Sequence, residues 1–208
     1  MITQTKDTQA AMSPDIAIAL LKEGNQRFVN KKMTNRDLLE QVRQTSSGQY
    51  PFATILSCLD SRVSAELVFD QGVGDIFSGR VAGNIVNEDI LGSMEFACKL
   101  AGTKLIVVLG HTSCGAVKGA CDDAKLGNLT ALLSKIRPAV EAVTSPENPD
   151  ERTSKNIDFV NAVVDKNVEM TIDNIRTQSP VLKEMEDNGE IAIVGAIYDI
   201  ADGKVHFM

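Results

Sequence analysis

The 208-residue chain has no tryptophan, and only two histidines and four cysteines. So few thiols in a chain this long are no disulfide framework. They point instead to metal binding, thiol chemistry or plain burial. No stretch of about 18 apolar residues occurs, so no transmembrane span is expected. The first residues, MITQTKDTQAAMS, lack the basic patch and apolar run of a secretory leader. A cytoplasmic location is expected, although a leader already removed would leave no trace. Basic residues are outnumbered, 21 Lys and Arg against 28 Asp and Glu. That balance argues against a nucleic-acid partner, which needs a basic face.

What remains is enough for one domain. Hydrophobic residues make up 43% of the chain, so a sizeable core can form. Residues 1–12 are polar and read as a flexible segment, with a single domain over residues 13–208. Ser13-Pro14-Asp15 is a helix start, followed by Ala17, Leu20, Leu21, Gly24 and Phe28 at helical spacing. A second helix is expected from Arg36 to Thr45. The apolar runs at 52–57, 75–81, 104–109 and 191–197 read as buried strands, with a short edge strand at 204–207. Helices are expected at 87–100, closed by Gly102, at 129–143 with a kink at Pro138, and at 154–176. Strands alternating with helices predict an α/β fold with a mainly parallel central sheet flanked by helices.

Two of the strands run into reactive residues. The first ends Ser57-Cys58-Leu59-Asp60-Ser61-Arg62 and the third ends Gly110-His111-Thr112-Ser113-Cys114-Gly115. Sites in open α/β sheets form at the carboxyl ends of strands, so both segments can face one crevice. Two thiolates and an imidazole suit zinc, and three protein ligands leave a fourth position open, as in catalytic sites. Zinc lowers the pKa of bound water from about 15.7 to roughly 7. Cys114 precedes a helix, whose dipole favours a thiolate. In extended backbone Asp60 and Arg62 point the same way, so the guanidinium would orient the carboxylate. Such an Asp can take a proton from the water or occupy the fourth position itself. Cys98 and Cys121 read as buried bystanders, and His206 as a solvent-facing strand residue.

At these residues the sequence resembles the beta-class carbonic anhydrases, which carry Cys-x-Asp-x-Arg followed by His-x-x-Cys. The likeness extends through Arg80-Val81-Ala82-Gly83-Asn84, His111 to Gly119 and Val194 to Asp199, and covers most of the chain from Ser13. The resemblance implies reversible hydration of carbon dioxide to bicarbonate and a proton, by attack of zinc-bound hydroxide. It implies one Zn2+ per chain on Cys58, His111 and Cys114, with Asp60 and Arg62 as a catalytic dyad and Asp60 on the zinc only in a closed state. It implies a substrate pocket using Gln49, Phe77, Phe96 (where some relatives have tyrosine) and backbone near Gly115. It further implies a homodimer or homotetramer, with the site at the subunit interface and the N-terminal helices packed on a partner. A hydrolase of carbon disulfide or carbonyl sulfide would carry the same motif. A non-catalytic zinc-stabilised binding module would close the metal with Asp60, and a thiol redox protein would pair Cys58 with Cys114.

One departure from the family pattern has a consequence. Some relatives have a second, inhibitory bicarbonate pocket of Trp, Arg and Tyr. Arg80 and Tyr198 match two of these, but the third position is Ile55. The pocket is therefore incomplete, and bicarbonate is expected to inhibit carbon dioxide hydration without a sigmoidal onset. A steeply sigmoidal inhibition curve would show the pocket to be intact.

Overall fold

The structure, a computed structural model, describes residues 3–208. Its centre is a five-stranded sheet: β1 (Ala53–Ser57), β2 (Ile76–Arg80), β3 (Leu105–His111), β4 (Ala192–Tyr198) and β5 (Val205–Phe207), in the order β2-β1-β3-β4-β5. The first four strands pair in parallel, and β5 closes one edge antiparallel to β4. The helices are α1 (Lys6–Ala10), α2 (Pro14–Val29), α3 (Leu38–Thr45), α4 (Ala65–Val68), α5 (Glu88–Glu95), α6 (Gly115–Cys121), α7 (Gly127–Ser134), α8 (Arg137–Ala142), α9 (Ile157–Gln178) and α10 (Pro180–Asp187). None of them is long and apolar enough to cross a membrane.

Every residue of β1 and β3 is buried, as expected for parallel strands covered on both faces. The alternation of side chains along β3 divides the core in two. Leu105, Val107 and Leu109 pack on one face with Ala17 and Leu21 of α2, and with Phe52 and Phe69. Ile106 and Val108 pack on the other with Leu91, Met94, Ile172 and Ile175. A third cluster, including Val117, Leu133, Ile136, Val160 and Val163, surrounds Cys58 and Cys114.

Local signals explain most helix starts. The Ser13 and Asn156 side chains accept the N–H groups of Ile16 and Phe159, capping α2 and α9. Three expectations differ from the structure. The segment read as flexible carries α1, started by a reciprocal Thr5–Thr8 capping box. Gln9 of that helix donates to the carbonyls of Pro51 and Ala101. The first two residues of the segment lie outside the described residues. Residues 129–143 are not one kinked helix but two, α7 and α8. Pro138 lies in the first turn of α8, where its missing N–H is not needed. The long helix starts at Ile157 rather than Ser154, at its Asn156 cap.

Helix α2 is pinned to the molecule by charge as well as by apolar contact. The Asp70 carboxylate is fully buried and takes bonds from Arg27 and Arg36, and from Thr34. Gly24 lies so close that a Cβ there would meet the Phe69 carbonyl oxygen at 1.8 Å. Alanine normally favours a helix over glycine by about 1 kcal/mol, but here the clash is with backbone and dominates. Gly24→Ala is expected to destabilise the fold by about 3 kcal/mol, read as a lower midpoint in urea unfolding.

Candidate metal centre

The sheet order has its topological switch between β1 and β3, since β2 lies on one side of β1 and β3 on the other. Their register sets Ser57 opposite Leu109. Cys58 follows β1 directly, His111 is the last residue of β3, and Cys114 comes three residues later as the N-cap of α6. The Cys58 and Cys114 sulfurs are 3.8 Å apart. One ligand atom from each of the three residues lies within 4.8 Å of the others, and all three residues are buried. Among the described residues this is the one such cluster of His, Cys, Asp and Glu.

The donor set fits zinc. Two Zn–S bonds of about 2.3 Å at a tetrahedral angle separate the sulfurs by about 3.8 Å, the distance found. A disulfide would need about 2.05 Å, and all four cysteines are free. The His111 ring is fully buried, and its Nδ1 lies 3.0 Å from the Thr112 carbonyl oxygen. Donation from Nδ1 leaves a lone pair on Nε2, which has no protein partner. A buried orphan nitrogen facing two thiols is a ligand set in search of a cation.

Several contacts hold the ligands in place. The Gly83 N–H donates to the Cys58 sulfur at 3.4 Å. Gly83 has φ +73°, and a Cβ there would meet Ile136 at 2.5 Å, so only glycine fits the position. Ser113 adopts φ +57° and donates its N–H to Asn161 Oδ1. The Thr112 N–H donates to the Tyr198 carbonyl. Neither Gly83 nor Asn161 was recognised as a support from the sequence. Asn161 sits within a long amphipathic helix, where nothing in its spacing marks it.

The two thiols share their charge unequally. A bond from Cys114 holds the Cys58 thiol below its ordinary range against the opposing effect of burial, with His111 and the N–H groups of Gly83 and Asp60 adding to it. Cys114 is pushed up by its place beside that thiolate and by burial. Burial also pushes Cys98 and Cys121 up to about 11. Both stay protonated and inert, as expected of bystanders. His206 is exposed on β5 opposite Ile197, away from the cluster.

Asp60 and Arg62 form a bidentate pair. Arg62 Nε donates to Asp60 Oδ1 at 2.9 Å and Nη2 to Oδ2 at 2.7 Å. They are not in extended backbone, however. The Val63 N–H bonds the Asp60 carbonyl, and the Arg62 N–H bonds Asp60 Oδ1 at 3.0 Å. A side chain closing onto its own turn brings the two together. The Arg62 guanidinium holds the Asp60 carboxyl well below the usual carboxylate range, outweighing its partial burial. Asp60 Oδ2 stands 3.9 Å from His111 Nε2, beside the ligand set but turned to Arg62.

The remaining pocket residues are elsewhere in the chain. Gln49 is exposed and precedes β1, whose five residues span roughly 16 Å before Cys58 is reached at the opposite end. Phe77 is registered with Thr54, four positions before Cys58. Its ring lies 6.4 Å from that of Phe96, edge to face. Both rings line an open groove of about 640 Å³ beside edge strand β2, with Ile55, Ile90 and Met94. Phe96 begins a π-helical turn, Phe96–Leu100, that continues α5. Gly115 opens α6 next to Cys114. The chain therefore brings together Cys58, Asp60, Arg62, His111, Cys114 and Gly115, but not Gln49, Phe77 or Phe96.

Comparison with known proteins gives one answer. A family model described as carbonic anhydrase matches residues 53–205. Carbonic anhydrase 2 of Mycobacterium tuberculosis is 36% identical over 193 residues, covering 92% of this chain and 91% of that protein. A carbonic anhydrase of Mycolicibacterium smegmatis is 35% identical, covering 93% and 92%. Among solved structures, the beta-carbonic anhydrase CcaA superposes with a TM-score of 0.71 at 29% identity, over 92% of this chain and 94% of that one. Tetrameric beta-carbonic anhydrases of Sordaria macrospora share the fold, with a TM-score of 0.69 at 22% identity over 93% and 97%.

Loss of a single ligand should empty the centre. Cys114→Ser and His111→Ala are expected to bind far less than one zinc per chain, with Cys98→Ala and Cys121→Ala unchanged, as measured by elemental analysis of the purified proteins.

Proposed function

The chain belongs to the beta-class carbonic anhydrases, and from that premise we propose that it hydrates carbon dioxide reversibly to bicarbonate and a proton with zinc held by Cys58, His111 and Cys114. The observation that carries the reading is the convergence of two thiols 3.8 Å apart and an unpartnered imidazole nitrogen, their ligand atoms all within 4.8 Å of one another, with Asp60 drawn aside by Arg62. When bound, zinc acidifies a coordinated water and so makes a nucleophile available near neutral pH.

The chain's own residues do the rest. Arg62 keeps Asp60 ionised and fixes its direction. Asp60 Oδ2 then accepts a hydrogen bond from the attacking water, whose lone pair is left to face the substrate carbon. The C–O bond forms as one C=O π bond of carbon dioxide opens, and the water's proton passes to buffer. Backbone N–H groups at the start of α6, from Gly115, orient the bicarbonate oxygens. Carbon dioxide is small and apolar and wants an apolar wall. In an assembly of identical chains, Phe77, Phe96 and Gln49 of a neighbouring copy would supply that wall and a hydrogen bond. The separation of these three residues from the chain's own cluster supports a site shared between subunits, as does the tetrameric state of the Sordaria macrospora enzymes.

Asp60→Ala is expected to keep about one zinc per chain and to lose on the order of 100-fold in kcat, measured by stopped-flow hydration across pH. Full activity at every pH with zinc retained would sink the role given to Asp60. Turnover of carbon disulfide or carbonyl sulfide above that of carbon dioxide would move the assignment to a sulfur-substrate hydrolase.

A further inference from the structure

Arg80 is the last residue of edge strand β2 and lies opposite Ser57 in the ladder. Its guanidinium does not pair with a carboxylate. Nε donates to the Cys58 carbonyl at 3.2 Å, and Nη2 donates to the carbonyls of Leu59 at 3.1 Å and Asp60 at 2.6 Å. Strand pairing has ended at Ser57, so the carbonyls of Cys58 and Leu59 lie past the ladder. The chain curls there, and three consecutive carbonyl oxygens converge on one point. Such dipoles repel one another, and a planar cation with its donors along one edge offsets the repulsion. The Nε–Nη2 edge is used up in these bonds.

The curled segment carries both halves of the site. Its first residue is the Cys58 ligand, and its third is Asp60. The Asp60 carboxylate stands 3.9 Å from His111 Nε2, so a small shift of this backbone would move it relative to the ligand set. Contacts at both ends of Asp60 set its position: Arg62 holds the carboxylate, and Arg80 shares the carbonyl with the Val63 N–H but alone also reaches the carbonyls of Cys58 and Leu59. Arg80 is exposed, so its removal leaves no buried void, and the expected cost falls on position rather than on folding.

We propose that Arg80 is a positioning residue, whose clamp on the carbonyls of Cys58, Leu59 and Asp60 keeps Asp60 turned to Arg62 and clear of the metal ligands. The inference deepens the carbonic anhydrase reading and rests on it for its kinetic consequence, but the clamp itself also bears on how firmly the metal is held.

The test uses the zinc-loaded full chain as Arg80→Gln, Arg80→Ala and Arg80→Lys, with zinc content and thermal unfolding measured on each sample. Arg80→Gln is expected to keep one zinc and its melting temperature, and to lose on the order of 10- to 100-fold in kcat. Its zinc should pass to a colorimetric chelator roughly tenfold faster than from the parent, because the loop bearing Cys58 has lost its charge-assisted bonds. Arg80→Lys should fall between the two, and millimolar guanidinium should restore part of the activity of Arg80→Ala. Unchanged kcat and unchanged zinc release in Arg80→Gln would overturn the proposal. So would a loss that follows only zinc deficit or unfolding, with no rescue, or an effect confined to bicarbonate inhibition. A parent protein without carbon dioxide hydration would sink the enzymatic reading alone, and the zinc-release comparison would still decide the clamp.

Discussion

Parallel pairing of β1 with β3 sets Ser57 beside Leu109 and delivers Cys58, His111 and Cys114 to one point from segments some fifty residues apart in sequence. The sulfurs sit at zinc-ligand spacing because two strands, each buried along its whole length, cannot slide without exposing their apolar side chains. The ligands need little help to meet. They need help to stay aimed, and that falls to Gly83, Thr112, Asn161 and the Arg80 clamp, each acting through one or more hydrogen bonds.

The local electrostatics are uneven by construction. Two cysteine sulfurs and the Asp60 carboxylate gather at the end of the sheet, and two arginines answer the loop that carries Cys58 and Asp60 differently. Arg62 meets the carboxylate side chain, while Arg80 meets uncharged carbonyls of the same loop. Charge compensation and backbone shape are thereby assigned to separate residues, and neither guanidinium is counted as a ligand to the cation.

The strands were legible because β-branched and leucine runs of strand length stand out between polar turns. The metal ligands were legible because reactive residues follow two of those runs. Both readings depend on order along the chain, which a sequence records directly. What was misread depends on relations across space. The Asp60–Arg62 pair forms through a turn that folds a side chain onto its own backbone, and an i, i+2 spacing alone does not distinguish this from a strand. Pro138 reads as a kink in the sequence because a proline that breaks a helix and one in the first turn of the next helix look alike when only residues 135–136 separate the two helices. Short, polar α1 offers no periodicity and is secured by Gln9 to carbonyls far along the chain. Gln49 and Phe77 flank the motif in sequence yet lie toward the other end of the strands, because a strand separates what it connects.

Asp70 gives the molecule a second kind of organisation. Burial alone would raise its pKa, but the bonds from Arg27 and Arg36 outweigh burial and lower it. A depressed carboxylate stabilises the folded state fully above its unfolded pKa, and that contribution fades as pH falls through the folded value. Once protonated, Asp70 leaves two guanidinium groups facing each other against a neutral neighbour, while the sheet, held by apolar contact, feels no such change. Acid therefore removes the charged part of the contact between α2 and the loop that carries Asp70, and leaves in place the apolar contacts of Ala17 and Leu21 with the sheet.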